Sequence, residues 1–134
     1  MAGFKGCRRI VNERILLVDD HEILRKGIRY LLTPAWEICG EASNGQEAVQ
    51  KTVELSPDLV LMDISMPVMN GIEATREIRR LGLPAKIVIL TMHDSVEIAK
   101  RAKEAGANEC LVKACGSDRL LEAIQGVLDG KPTA

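Results

Sequence analysis

The sequence predicts an α/β protein of the doubly wound type, in which one parallel five-stranded sheet carries helices on both faces as a three-layer (βα)5 sandwich. Three observations predict this fold. Short aliphatic runs of strand length alternate with segments whose apolar residues recur at helical spacing. Gly, Pro and Asn-Gly pairs, which favour turns, fall between these segments. The length of 134 residues and the hydrophobic content of 46% suit a single domain with a sizeable core.

Four of the predicted strands are continuous apolar runs, as is typical of strands covered on both faces. They are RILLV (14–18), DLVLM (58–62), KIVIL (86–90) and ECLV (109–112). The second strand, WEICGEA (36–42), alternates apolar with polar residues, so we expect it at a sheet edge with one wet side. Right-handed crossovers and this edge position favour the strand order 2-1-3-4-5, the flavodoxin-like arrangement.

Each predicted helix has its apolar residues on one face. In chain order these sets are Ile23, Leu24, Ile28, Leu31 and Leu32; Ala48, Val49, Thr52 and Val53; Ala74, Ile78 and Leu81; Ile98, Ala102 and Ala105; and Leu120, Leu121, Ile124, Val127 and Leu128. The last helix reaches Asp129-Gly130, a plausible stop. We therefore expect one domain over residues 13–130, a flexible basic tail at 1–12, and a remnant or linker start at 131–134.

Composition and charge exclude several functions. The 18 basic and 19 acidic residues give a net charge of -1, which provides no electrostatic footprint for DNA or an anionic membrane. Aromatic residues make up only 2% of the chain, which disfavours stacking on single-stranded nucleic acid. No apolar run approaches the ~20 residues of a transmembrane helix, and MAGFKGCRRIVNER has no apolar signal-peptide segment. We expect a cytoplasmic protein without a membrane partner.

Charged and hydroxyl side chains occur where the buried strands end. Asp19 and Asp20 follow the first strand, Asp63 the third, Thr91 the fourth and Lys113 the fifth. In an open parallel sheet the carboxyl ends of the strands share one side, where ligands bind. We therefore expect three carboxylates, one hydroxyl and one ammonium in a single crevice.

The charge of this crevice indicates its chemistry. Two unit charges 4 Å apart repel by ~4 kcal/mol at an effective dielectric of 20, so three carboxylates require a cation. Lys113 offsets one charge, and the remainder suits Mg²⁺, which is bound by one or two carboxylates, waters and a phosphate. An Asp carboxylate can be a nucleophile that forms an aspartyl phosphate, with Thr91 donating to a phosphoryl oxygen. A simpler interpretation of Asp19 or Asp20 is a cap on the helix that starts near His21.

The chain resembles the receiver domain of two-component response regulators over about residues 13–130. The resemblance depends on ILLVDDHEILRKGIRYLL, PDLVLMDISMPVMNGIEATREIRR, KIVILTMHD and AGANECLVKA, each in the expected order. Within that family the segments DDHEILRKGI and EASNGQEAV, and an Ala rather than a Pro after Lys113, are most similar to the NarL/FixJ-type subfamily.

The resemblance implies a role for each residue at the strand ends. Asp63 would accept a phosphoryl group from the phosphohistidine of a sensor histidine kinase, and Thr91 and Lys113 would bind the phosphoryl oxygens. The Mg²⁺ ion, or Mn²⁺ in its place, would be held by Asp20, by Asp63 and by the backbone carbonyl of Ser65, with Asp19 assisting through water. Ser65 and His93 would flank the attacking water, although an exposed loop position explains His93 equally well.

The resemblance also implies how the signal leaves the domain. Phosphorylation would shift a two-state equilibrium and control transcription, through self-association as a homodimer or through a C-terminal helix-turn-helix domain absent from this chain. DNA would be bound only through that domain.

Two other classes of protein compete with this interpretation. An Mg²⁺-dependent phosphohydrolase that works through an aspartyl phosphate would need a further acid close to its nucleophile, and Asp63 is followed by Ile64, Ser65 and Met66. A flavin or nucleotide module would need a Gly-rich or Ser/Thr-rich loop after the first strand, where this chain has Asp19-Asp20-His21-Glu22.

The cysteines indicate a reducing environment, and one of them departs from the family pattern. Cys7, Cys39, Cys110 and Cys115 form no CxxC pair, so reduced thiols are expected. Most receivers have Tyr or Phe three residues before the strand-five Lys, where this chain has Cys110. We expect a buried, inert thiol there, with the signal carried by backbone shifts around Thr91 instead of an aromatic swing.

Overall fold

A computed structural model describes residues 13–130, and these residues form one parallel sheet between two layers of helices. The strands are β1 (Arg14–Val18), β2 (Glu37–Ala42), β3 (Leu59–Asp63), β4 (Lys86–Thr91) and β5 (Glu109–Val112). The helices are α1 (Glu22–Leu32), α2 (Gly45–Leu55), α3 (Gly71–Arg80), α4 (Val96–Ala105) and α5 (Ser117–Leu128). A 3₁₀ turn, Lys113–Cys115, connects β5 to α5.

The sheet order is β2-β1-β3-β4-β5, with every neighbouring pair parallel. The predicted doubly wound (βα)5 fold and its 2-1-3-4-5 order are therefore confirmed, and β2 lies at an edge as its alternating pattern predicts. The predicted tails, residues 1–12 and 131–134, lie outside the described residues and remain predictions.

The core divides into two apolar layers because successive strand residues point to opposite faces. Leu16, Val60 and Ile87 point into the layer covered by α2, α3 and α4. Ile15, Leu59 and Val88 point into the layer covered by α1 and α5, which also buries Trp36 just before β2. Full burial of one such side chain contributes roughly 1.5–3 kcal/mol, so these layers hold the strand ends in fixed positions.

The predicted apolar face of α1 is buried only in part. Ile23 is 85% exposed and Leu24 45% exposed, whereas Leu32 is fully buried. A helix turns by about 100° per residue, so Ile23 lies well to one side of the face shared by Leu24, Ile28 and Leu31. Those three residues line a cavity of about 210 Å³ between α1 and α5, and Leu120 of α5 lines it from the other side.

None of the five α-helices within residues 13–130 has the length and apolarity needed to cross a membrane.

Candidate functional site

The carboxyl ends of β1 and β3 hold two buried carboxylates beside each other. Asp63 is the last residue of β3 and Asp19 follows β1, and each is 3% exposed. The backbone N–H of Asp19 donates to the carbonyl of Ala42 over 3.0 Å, so strand-like pairing with β2 continues to this residue. Ile64 likewise donates to the carbonyl of Leu90 over 3.1 Å. The sheet therefore fixes the backbone on which both carboxylates stand.

Lys113 connects the two carboxylates from the end of β5. Its Nζ atom lies 3.3 Å from Asp19 Oδ2 and 3.3 Å from Asp63 Oδ1. The Lys113 side chain is only 16% exposed. One shielded ammonium therefore faces two buried carboxylates, and the predicted meeting of Asp19, Asp63 and Lys113 is observed.

Asp63 is under-satisfied in this arrangement. Its Oδ1 atom is buried and has no hydrogen-bond partner among the described residues, although Lys113 is within ion-pair distance. Burial raises the pKa of the Asp63 carboxyl, the Lys113 ammonium lowers it, and the neighbouring Asp19 raises it again; the net pKa lies above the usual value. The charged carboxylate therefore has an ion-pair partner, but one of its oxygens is left without a hydrogen-bond donor.

A divalent metal ion matches this deficit. Ligand atoms of Asp19, Asp20, His21 and Asp63 all lie within 4.8 Å of one another. Carboxylate oxygens are the donors that Mg²⁺ prefers, and Asp63, which contributes to this group, also has a buried Oδ1 without a hydrogen-bond partner. The residues present therefore fit Mg²⁺, and the predicted meeting of Asp20 with Asp19 and Asp63 is observed.

His21 is a member of this group that the strand-end argument missed. Its Nδ1 atom lies 3.2 Å from Asp19 Oδ1 and 3.1 Å from Asp20 Oδ1. The available signal was an imidazole directly after an acidic pair, a possible ligand next to two others.

The simpler interpretation, in which Asp19 or Asp20 caps the first helix, is wrong. The N-cap residue of α1 is His21, and no side-chain hydrogen bond caps the helix. The Asp19 carboxylate accepts instead from the backbone N–H of His21 itself over 2.8 Å. Asp19 thus fixes the start of the loop between β1 and α1 through its Oδ1 atom, while its Oδ2 atom faces Lys113.

Arg25 fixes the backbone of Asp19 from α1. Its guanidinium donates to the Asp19 carbonyl over 2.6 Å and to Glu41 Oε1 over 2.8 Å. Arg29 also donates to Glu41. The hydrogen bond from Arg25 is the leading reason that the pKa of Glu41 is lowered. This network joins α1, β1 and β2 at the edge of the site.

Thr91 lies at the end of β4 and is 5% exposed. Its hydroxyl oxygen accepts from the backbone N–H of His93 over 3.1 Å. A hydroxyl that accepts at oxygen can still donate its hydrogen, which is the role predicted for Thr91 toward a phosphoryl oxygen. His93 itself is exposed, which leaves its role near the attacking water a prediction.

The loop from β3 to α3 carries Ser65 and is held at both ends by close backbone contacts. A Cβ added to Gly71 would lie 2.4 Å from the carbonyl oxygen of Asp63, and one added to Gly45 would lie 2.3 Å from that of Met69. Glycine is therefore required at both helix N-termini. Ser65 is exposed in this loop, and the role of its carbonyl as a metal ligand stays a prediction.

Cys110 is half-buried, less than the buried thiol we expected. It packs against the core layer of α2, α3 and α4. Burial is the main reason that the pKa of its thiol is raised, and Glu109 adds to it, so the thiol stays protonated.

The fold and this site together define a class: flavodoxin-like domains with an acidic site and a lysine at the carboxyl ends of the strands. Residues 15–125 match the family described as the response regulator receiver domain. The chain belongs to this family, whose members are signalling domains of two-component systems rather than classical enzymes.

Curated relatives include both single-domain and longer proteins. The chain is 41% identical over 118 residues to the chemotaxis protein CheY of Thermotoga maritima, covering 87% of this chain and 98% of CheY. It is 42% identical over 121 residues to the transcriptional regulatory protein LiaR of Bacillus subtilis, covering 89% of this chain and 57% of LiaR. The chain thus spans little more than half of that relative.

Solved structures agree with the family. A LuxR-family two-component response regulator from Aurantimonas sp. is 41% identical, with a TM-score of 0.86 and coverage of 90% of this chain and 88% of that one. This similarity is consistent with a NarL/FixJ-type receiver. CheY of Borrelia burgdorferi, solved as a CheX-CheY-BeF3-Mg+2 complex, is 26% identical, with a TM-score of 0.83 and coverage of 87% and 90%.

Proposed function

We propose that this domain is a phosphorylation-activated switch in which Asp63 accepts a phosphoryl group from the phosphohistidine of a sensor histidine kinase. The observation that carries the proposal is the buried, unpartnered Asp63 Oδ1, 3.3 Å from the Lys113 ammonium and grouped with two further carboxylates. An Asp carboxylate can act as a nucleophile, and an oxygen without a hydrogen bond keeps its lone pairs available for attack.

The chain's own residues account for the transfer. A carboxylate oxygen of Asp63 forms the new P–O bond as the P–N bond of the donor breaks and the imidazole leaves with the electron pair. Lys113 balances charge on the phosphoryl oxygens, and Thr91 donates its hydroxyl hydrogen to one of them. The same arrangement supports self-catalysed phosphorylation from small donors and self-catalysed hydrolysis.

Mg²⁺, with Mn²⁺ as a substitute, would be held by Asp20, Asp63 and the Ser65 carbonyl, with Asp19 assisting through water. When bound, the ion supplies positive charge for the phosphoryl oxygens. The acidic group of residues 19, 20 and 63 supports this proposal, as does the Mg²⁺ in the complex that contains the Borrelia relative.

The output is a surface that changes with phosphorylation. We propose a shift between two pre-existing conformations that controls transcription, through a homodimer of this domain or through a helix-turn-helix domain outside this chain. Self-association is tested by analytical ultracentrifugation of the phosphorylated and unphosphorylated protein, and equal association of the two forms would refute the homodimer.

Intact mass spectrometry tests the transfer. The wild type, Asp63→Asn and the control Asp129→Asn, which changes an exposed residue at the end of α5, are incubated with a small phosphodonor with and without Mg²⁺. We expect one phosphoryl group per chain in the wild type and the control with Mg²⁺, and none in Asp63→Asn. Turnover of the donor without accumulation would indicate a phosphohydrolase, and a label on Ser65, Thr91 or a histidine would refute the assignment.

A further inference from the structure

His21 places an imidazole nitrogen inside the acidic group. Its Nδ1 atom lies within 3.2 Å of Asp19 Oδ1 and 3.1 Å of Asp20 Oδ1, while 64% of the side chain remains exposed. The backbone of His21 is fixed as the N-cap of α1, and its N–H donates to Asp19 over 2.8 Å. The ring is therefore held beside the carboxylates by its own backbone and has room to turn.

The contacts of Nδ1 mark a position for a cation. Ionised carboxylates only accept hydrogen bonds, so Nδ1 carries a hydrogen where it faces two of them. That hydrogen points to the space between the Asp19 and Asp20 oxygens. In the other neutral tautomer the hydrogen is on Nε2, and the Nδ1 lone pair points to the same space.

The unpartnered oxygen of Asp63 provides an independent observation. It is buried and makes no hydrogen bond within residues 13–130, and the Asp63 carboxylate offers an oxygen within 4.8 Å of the ligand atoms of Asp19, Asp20 and His21. The acidic group that His21 joins therefore includes a carboxylate with one buried oxygen that lacks a hydrogen bond. An ion held there would have oxygen donors from Asp20 and Asp63 and a nitrogen donor from His21 within reach, with Asp19 assisting through water.

We propose that His21 is a specificity-determining metal ligand, which makes this site favour divalent ions that accept imidazole, such as Ni²⁺, over Mg²⁺. Imidazole suits such transition metals, whereas Mg²⁺ prefers oxygen ligands and keeps several waters. The inference rests on the proposed function in one respect, namely that this acidic site binds a divalent cation. It does not depend on phosphoryl transfer.

Calorimetry with Ni²⁺ and with Mg²⁺ tests the preference on tag-free protein. The variants are His21→Asn, which keeps a good N-cap residue but removes the imidazole, and the control His93→Asn, which removes the other histidine of the chain. We expect His21→Asn to lower the ratio of Ni²⁺ to Mg²⁺ affinity at least about tenfold, the scale on which even outer partners of metal ligands act. His93→Asn should leave the ratio unchanged.

Pulsed electron paramagnetic resonance of bound Mn²⁺ tests the ligand directly. We expect coupling to ¹⁴N of a coordinated imidazole in the wild type and in His93→Asn, and its loss in His21→Asn. A wild type that binds Mn²⁺ without ¹⁴N coupling, or an unchanged affinity ratio in His21→Asn, would overturn the inference while leaving the proposed function in place. A wild type that binds none of these ions would overturn both the inference and the proposed function. A wild type that is phosphorylated but whose preference for Ni²⁺ over Mg²⁺ does not depend on His21 would overturn only the inference.

Discussion

Asp63→Asn should stabilise the metal-free protein at neutral pH. The substitution keeps the shape of the side chain but removes a charge that is 3% exposed. It also removes the attraction to Lys113 and the repulsion from Asp19. The sign of the stability change therefore depends on the balance of three effects, namely burial, Lys113 and Asp19. Burial is the largest of them and raises the pKa of Asp63, which indicates that the charged form destabilises the fold.

The magnitude follows from the distances. Attraction between Lys113 and Asp63 across 3.3 Å is ~5 kcal/mol at an effective dielectric of 20. Repulsion between Asp19 and Asp63, with ligand atoms no more than 4.8 Å apart, is ~3.5 kcal/mol on the same scale. The remaining attraction is smaller than the several kcal/mol needed to remove an ion from water. We therefore expect Asp63→Asn to gain about 1–3 kcal/mol in free energy of unfolding.

The gain should depend on pH with a definite sign. The folded-state pKa of Asp63 is raised, so the wild type is most stable relative to Asp63→Asn below the unfolded-state pKa of about 4, where Asp63 is neutral in both states. It loses stability as the pH rises through the folded-state pKa, at up to about 1.4 kcal/mol per pH unit. Asn cannot titrate, so the difference between variant and wild type should be near zero in acid and reach a plateau at higher pH.

Urea unfolding in chelator, followed by the fluorescence of the single tryptophan, measures this difference, because Trp36 is 3% exposed. Asp20→Asn is the matched control: its side chain is 30% exposed, so it should gain less and remain folded by circular dichroism. Mg²⁺ should stabilise the wild type and have little effect on Asp63→Asn. An Asp63→Asn protein that is no more stable than the wild type at pH 7 would show that Lys113 outweighs burial.

Three further substitutions test other parts of the structure. Gly71→Ala should cost about 1–3 kcal/mol, since its Cβ would lie 2.4 Å from the Asp63 carbonyl, whereas the control Gly27→Ala, with open space and a helical backbone, should be neutral or stabilising in thermal melts. Glu41→Gln should cost about 1–2 kcal/mol of stability at neutral pH and nothing in acid. The pKa of Glu41 is lowered in the folded state, so the stability that its charge contributes is lost as the pH falls through the folded-state pKa. A constant cost across urea titrations at pH 3–7 would contradict this. Cys110→Ala should leave labelling of Asp63 unchanged in mass spectrometry and lower stability by about 1 kcal/mol, and a folded variant that cannot be labelled would place Cys110 in the site.

The fold could be predicted from the sequence because burial and periodicity determine it locally. The bounds predicted for the first and last strands, 14–18 and 109–112, agree with β1 and β5. The third strand extends one residue further than predicted, to Asp63, because this residue still pairs with Leu90 of β4. The aliphatic pattern ends at Met62, so it does not reveal that the polar residue after it still belongs to the strand.

The finer features of the site depend on distant backbone contacts and side-chain torsions that periodicity does not contain. Nothing in the Asp-Asp pair indicates that Asp19 is buried while Asp20 remains 30% exposed. The ring orientation of His21 is set by its two side-chain torsions, which the residue order does not specify. The need for glycine at position 45 arises from contact with Met69, which is distant in sequence.

Lys113 gives the domain a mechanical link as well as an electrostatic one. Its ammonium is shared between Asp19, which follows β1, and Asp63, the last residue of β3, while its backbone begins the 3₁₀ turn that leads from β5 to α5. Any change in the number of anions around Nζ therefore alters the forces on that connection. The same side chain and Cys115 line the cavity of about 210 Å³ between α1 and α5. A charge added beside Lys113 should therefore act, through this one residue, on the packing between α1 and α5.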